Sequence, residues 1–283
     1  MDLLTLLPPI AALGSAMAHS GMALFTKRAV DTLVFRSVTI VFGALLLSPI
    51  LLTNPIPTAE VWPFLLGGVV MIWAFNMFMI TAFRAGDMNL VYPVMRGAAP
   101  GLAAIGAWIV FSESLGVLDA LGLAVASAAL IAFAWPDRGR APKAKAVGFA
   151  LAAASMTALY TVVDAGGARL ASSPFVYAAW HFAISSIALT VTAVIRRGPS
   201  RYLTAARAGW RGALACASLA AVSYTLILWA YAHAEIAPMA ALRETSIVFG
   251  AILAALILKE PFGARRAVLA AVLAGGLAAL QLG

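Results

Sequence analysis

The chain carries little charge for its length. Asp, Glu, Lys and Arg make up 11% of 283 residues, while 63% are hydrophobic and the mean hydropathy is +0.98. A soluble domain carries about 25% charged residues, so the composition excludes an ordinary soluble fold and points to lipid. Cysteine is nearly absent: Cys216 stands alone inside an apolar run, which excludes an internal disulfide and suits a small buried filler. Histidine occurs three times, far apart, and no His-Glu-x-x-His is present, so no metal site is expected. There is no Gly-x-x-x-x-Gly-Lys-[Ser/Thr] loop, so transport, if that is the task, draws on an ion gradient or on exchange. Alternating strand patterns are lacking. No basic n-region precedes the first apolar run, so Met1–Phe25 is expected to be a span and not a cleaved leader.

What remains is a succession of apolar runs. A spanning helix needs about 20 apolar residues, and ten can be placed: Leu3–Phe25, Leu33–Leu52, Val61–Phe83, Met88–Phe111, Leu115–Trp135, Ala146–Asp164, Phe175–Ile195, Gly212–Ala232, Ile236–Leu258 and Ala264–Leu282. The expected fold class is therefore all-α: a polytopic membrane protein with ten transmembrane helices. Gly14, Ala18 and Met22, and likewise Gly97, Gly101 and Ile105, place small residues on one helix face, which lets backbones approach closely in lipid. Pro93 and Pro100 interrupt the fourth span, and a helix kink is expected there. Pro238 reads as a helix start.

The net charge of +8 does not indicate nucleic acid, because the basic residues lie between apolar runs and form no stripe. They set orientation instead. The loops after odd-numbered spans hold Lys27, Arg28, Arg84, Arg138, Arg140, Lys143, Lys145, Arg196, Arg197, Arg201, Arg207, Lys259, Arg265 and Arg266. Those after even-numbered spans hold only Arg169. Basic loops stay cytoplasmic, so both termini are expected on the periplasmic side of a bacterial inner membrane.

The chain also repeats itself. Arg96 is followed seventeen residues later by Glu113, and Arg243 seventeen residues later by Glu260. One offset of 147 residues relates the two pairs, and it also relates Gly116 to Gly263 and Asn76 to Ser223. Ala23-Leu24-Phe25-Thr26 similarly resembles Ala158-Leu159-Tyr160-Thr161. The domain reading is a first repeat over 1–135, a basic linker over 136–145 and a second repeat over 146–283. Five spans per repeat is an odd number, so the second repeat enters the membrane inverted. The basic loops fit this, because Arg84 has no basic counterpart after span eight, whereas Lys259, Arg265 and Arg266 have none after span four.

The segments LVYPVMRGAAPGLAAIGAWIVFSES and APMAALRETSIVFGAILAALILKEPFG resemble the two EamA-type repeats of the drug/metabolite transporter superfamily. The most specific stretch is Arg-Glu-Thr-Ser leading into a small-residue helix and then Lys-Glu-Pro-Phe-Gly. The resemblance implies a ten-helix carrier built from inverted repeats, often an exporter of amino acids or other small metabolites. Ten-helix members commonly have cytoplasmic termini, and the charge count here argues the reverse.

A charge at the bilayer centre costs about 2.5–3.5 kcal/mol on insertion scales, so intramembrane polar residues are the site candidates. Arg96 and Arg243 stand at matching depths, either to attract an anionic substrate group or to lock two helices. Glu244 is either a protonatable coupling site or an ion-pair partner. His19 and His181, one in each half, are packing residues or members of a proton relay. Arg36 occupies the position matching His181. Asn76 is a polar candidate in span three, and Tyr92, Tyr160 and Tyr224 are aromatic ones. Glu113, Glu260, Asp87 and Asp119 read as interfacial anchors or caps, and Asp164 as the end of span six, either an interfacial residue or one lining the mouth of a pathway.

The expected function is a secondary-active transporter, an exporter of small metabolites such as amino acids, working by alternating access of the two repeats. The expected partners are a small-molecule substrate, membrane lipids, and protons or an exchanged solute, with a monomer or homodimer as the unit. No catalytic residues, cofactor, metal or nucleic acid are expected. The alternatives are a lipid or lipid-linked sugar flippase and, less favoured, an intramembrane enzyme.

Overall fold

The computed structural model describes residues 3–27, 29–86, 88–113, 116–134, 144–258 and 264–282. They form eleven helices: α1 (Leu3–Lys27), α2 (Thr32–Thr53), α3 (Trp62–Ala85), α4 (Met88–Phe111), α5 (Val117–Ala134), α6 (Ala144–Leu170), α7 (Pro174–Arg197), α8 (Pro199–His233), α9 (Ile236–Glu244), α10 (Ser246–Leu258) and α11 (Ala264–Leu282). No strand occurs among the described residues. Six helices (α2, α3, α4, α6, α7 and α8) are long and apolar enough to cross a bilayer by length and composition alone. The chain is an all-α polytopic membrane protein. Side chains such as Ile10, Leu45, Trp108 and Ile109 are more than half exposed, as suits helix faces whose solvent is lipid.

Three expectations about the spans need correction. Span nine is not one helix. It stops at Thr245, whose N–H and hydroxyl both donate to the Leu242 carbonyl, at 3.1 and 2.6 Å, and α10 restarts at Ser246. Span four is helical from Met88 to Phe111, across both Pro93 and Pro100. The basic segment Arg196–Arg207 is not a loop. Only Gly198 separates α7 from α8, with φ 78°, a conformation that favours glycine. The 35 residues of α8 reach about 52 Å, far more than the roughly 30 Å of a hydrocarbon core. Span six runs past Asp164 to Leu170, through Gly166 and Gly167, before Ser173 and Pro174 cap α7. Residues 136–143 of the expected linker, with Asp87 and Glu260, lie outside the described residues.

The helices group into two compact units. One is built from Met1–Val69 and Asp164–His233, the other from Val70–Val163 and Ala234–Gly283. In the first, α1 packs on α8 and α2 packs on α7 and α8. Ser15 and Ser223 staple α1 to α8 reciprocally, each hydroxyl donating to the other's carbonyl, at 2.7 and 2.9 Å. A methyl at Gly14 would lie 3.3 Å from Leu226, so the small residue there does serve a close approach. Asp31 caps α2 through the Leu33 and Val34 amides and pairs with Arg197 at the end of α7. That pair joins the ends of spans one and seven, which the charge count assigns to one side.

In the second unit α5 packs on α11, and α4 on α5 and α9. A cluster of Ala82, Val91, Met95, Ala146, Ala150 and Ala153 ties α3, α4 and α6 together. Glycines set the closest approaches. A methyl on Gly122 would meet the Gly276 carbonyl oxygen at 2.6 Å and the Leu280 nitrogen at 2.7 Å, backbone that cannot rotate away. A methyl at Gly97 would run into Ile131 of α5, whereas at Gly101 it would meet nothing within 4 Å. The contacts also carry a numerical symmetry. Spans two and seven, four and nine, and five and ten each pack on their own counterparts. Spans one with eight, and six with three, exchange under the same shift of five.

Two outcomes follow. Gly122→Ala lowers the thermal midpoint of the purified protein, while Gly101→Ala leaves it unchanged or raises it; equal effects would refute the backbone contact. Burial raises the pKa of Asp31, but the Arg197 hydrogen bond and charge and the two backbone amides outweigh it and hold the carboxyl below 3.8. A folded pKa below the unfolded one contributes stability above the unfolded value that is lost as pH falls through the folded one. Wild type therefore loses stability relative to Asp31→Asn as pH drops below about 4, read as a converging pair of melting curves.

Candidate functional site

The candidate residues fall into two groups, one in each unit. The first group surrounds the interruption of span nine. Arg96, two turns into α4, sends Nη1 to both oxygens of Glu244, at 3.2 and 3.3 Å. The side chains are 16% and 6% exposed. Glu244 is the last residue of α9, one place before the break at Thr245. Neighbouring helix residues point about 100° apart, so the partner of Glu244 is the arginine of the facing helix rather than Arg243 beside it. Arg243 is half-buried on α9. Ser246 opens α10, is 4% exposed, and its hydroxyl has no hydrogen-bond partner. A fork of charge, an unpartnered hydroxyl and a helix interruption thus occupy a few consecutive positions.

The start of α9 is also tied to the middle of the chain. Glu113, after α4, accepts the Ile236 N–H at 2.8 Å. Its carboxylate sits at the positive end of α9. The expectation of a helix-start cap holds in kind, but the helix capped is α9 rather than the next one, whose first turn Asp119 closes by accepting the Gly116 N–H at 2.9 Å.

Asn76 is buried on α3, donates Nδ2 to the Ile72 carbonyl at 2.6 Å and leaves Oδ1 without a partner. Tyr160 is buried on α6 with its ring edge-on to Phe75 at 6.3 Å. The side chains of Tyr92 and Pro93 lie outside the described residues. Pro100 is buried in the continuous helix α4.

The second group is centred on a residue read from sequence as a span end. Asp164 is 1% exposed, inside α6. Tyr177 donates its hydroxyl to Oδ1 at 2.8 Å, and Tyr224 donates to Oδ2 at 2.7 Å. His181, one turn after Tyr177 on α7, holds Nδ1 at 3.6 Å from Oδ1. Its ring lies 5.0 Å from that of Tyr224. His181 and Tyr224 are thus brought together around an acid that the sequence placed only at the end of span six, at most at the mouth of a pathway, and Tyr177 was missed altogether. The sequence signal was Asp164 followed by Ala165, Gly166, Gly167 and Ala168, residues too small and apolar to end a span. His19 is half-buried on α1.

No group of three or more His, Cys, Asp or Glu suited to a metal occurs among the described residues.

The ion pair gives a stability test. Removing one member of a buried pair strands the other charge, at a cost of about 3 kcal/mol. Glu244→Met and Arg96→Met should each destabilise by that order, while the Arg96→Met/Glu244→Met double variant recovers more than half of the sum. Additive losses in chemical denaturation would show that the two side chains do not depend on each other.

Comparison with known proteins bears on the chain at this point. A family model, the EamA-like transporter family, matches residues 144–281. No curated protein sequence matched. A crystal structure of a protein superimposes with a TM-score of 0.80 at 17% identity, covering 97% of this chain and 96% of that one. At that identity the likeness speaks for the fold, and it spans both repeats.

Proposed function

We propose that this chain, a member of the EamA-like transporter family and hence a membrane transporter of the drug/metabolite type, is a secondary-active exporter of small zwitterionic metabolites such as amino acids. It would work in a bacterial inner membrane with both termini periplasmic, by alternating access of its two repeats. The observation that carries this reading is the buried Arg96–Glu244 pair at the interruption of span nine.

The argument runs from charge. Opening a buried ion pair exposes two uncompensated charges to a medium that solvates neither. A ligand with one charge would satisfy one partner and strand the other. A zwitterion satisfies both, its carboxylate on Arg96 and its ammonium on Glu244, so the exchange leaves the net charge unchanged. The planar guanidinium suits a carboxylate fork. Ser246 adds a buried hydroxyl without a partner. In the resting state Glu244 holds the place of the substrate carboxylate.

The flippase reading has support only for a zwitterionic headgroup: an anionic phosphate headgroup would compete with Glu244 for Arg96 without serving Glu244 itself.

The test is a thermal-shift screen on the purified protein with zwitterionic amino acids, small organic cations and lipid headgroups. A ligand at 100 times its Kd stabilises by about 2.7 kcal/mol. Amino acids should raise the melting temperature of the wild type. The shift should vanish in the folded Arg96→Met/Glu244→Met variant and persist in Glu113→Gln, which lies outside the pair. Stabilisation by lipid headgroups alone, or an amino-acid shift intact in the double variant, would overturn the reading.

A further inference from the structure

The acid–phenol–imidazole cluster in the first unit is not used by the substrate scheme above. We propose that Asp164 and His181, positioned by Tyr177 and Tyr224, form the proton-coupling site of the carrier. This rests on the carrier reading and adds the ion that drives it.

The geometry separates this cluster from an ordinary core contact. Asp164 is buried on α6, and both oxygens accept phenolic hydroxyls, one from α7 and one from α8. Each phenol has a single proton and gives it to the acid, so the donors are arranged for the carboxylate form. The imidazole is treated differently. His181 is 3% exposed, and neither ring nitrogen has a hydrogen-bond partner. Buried polar atoms are nearly always paired, and this one stops at 3.6 Å from the acid. A proton on Nδ1 would turn that near miss into a charge-assisted hydrogen bond with a small movement of the ring.

The surroundings restrict where the acid can go. The titratable groups facing Asp164 are Tyr177 and His181 from α7 and Tyr224 from α8. From α3 the cluster meets Gly68, and from α2 the neighbouring ring Phe182 meets Gly43. A methyl at Gly68 would overlap Asp164 Oδ1 and come within 3.3 Å of the imidazole. Backbone therefore closes that side, and the carboxylate's freedom is toward His181. Asp164 is the first residue of the second chain segment of its unit, and Gly68 the next to last of the first segment.

The step balances simply. With imidazole neutral and the acid ionised, the cluster carries one negative charge. One proton from water on one side of the membrane adds to Nδ1 or to the carboxyl, and the cluster becomes neutral. Release of that proton to water on the other side restores the starting state, with no bond to carbon, no electron and no second reactant involved. A neutral cluster crosses between states in lipid more easily than an anionic one, which ties the conformational change to proton occupancy.

The experiment uses full-length protein labelled with nitrogen-15 at histidine, in lipid nanodiscs. Its three histidines give three imidazole signals, and His181→Gln assigns one. The His181 signal should change with pH between the neutral and cationic forms, and Asp164→Asn should abolish or displace that change. Tyr224→Phe, a milder variant that keeps the ring, should move the midpoint to higher pH by about one unit, since the carboxylate form loses a charged hydrogen bond. A structural role alone would not move the profile. A His181 signal constant over the pH range of the folded protein, or one indifferent to both variants, overturns the proposal.

A second arm uses proteoliposomes and a labelled mixture of amino acids. Asp164→Asn and His181→Gln should keep exchange without a gradient and lose about tenfold of the flux driven by an imposed proton gradient. Intact gradient-driven flux in the folded variants overturns the proton site. If wild type exchanges no amino acid while His181 titrates in step with Asp164, the substrate reading fails and the proton site stands.

Discussion

Hydrocarbon offers nothing to a polar group, so every polar atom that the helices carry into it must be answered from within the protein. That constraint accounts for the contacts that set this structure apart from a simple packing of apolar rods. Ser15 and Ser223 answer each other across α1 and α8. Glu113 answers the first amide of α9. Arg96 and Glu244 answer each other's charge, and two phenols answer Asp164. At Ser246 and His181 the answer is incomplete, and both stand close to a buried acid. Those incomplete positions are where ligand and proton are assigned.

Helix association here has no hydrophobic gain to draw on, since lipid tails are as apolar as leucine. Close packing substitutes for it. The buried set is dominated by alanine, with large apolar chains such as Ile109 and Leu45 turned outward. The contact of α5 with α11 depends on Gly122 and Gly276 lying against each other's backbone. The same thrift with side-chain volume puts α3 against the Asp164 carboxylate, because only glycine fits at position 68.

The two polar groups divide the work. The pair at span nine is balanced in charge and suits a ligand that is itself balanced. The cluster around Asp164 is unbalanced by one charge, which a proton corrects. In the proposed scheme the cargo pair and the proton cluster belong to separate compact units.

Much of this was legible before any coordinates. Composition required a membrane, apolar runs counted the spans, and the 147-residue offset marked Arg96 and Arg243 as counterparts, because these depend on residue type and spacing along one chain. His181, Tyr224 and Glu244 were also legible, since a polar group in an apolar run is conspicuous by itself. Their partners were not. That Arg96 meets Glu244, a residue 148 positions away, depends on two helices facing each other, and helix phase over many turns cannot be summed reliably from sequence. Asp164 was taken for a span end because an acid in lipid is costly when considered alone; burial against Tyr177 and Tyr224 removes that cost only once three helices meet. The turn at Thr245 is local by contrast, since its hydroxyl and amide share the carbonyl of Leu242 three residues back. Local chemistry determined which residues mattered, and long-range packing decided what each of them faces.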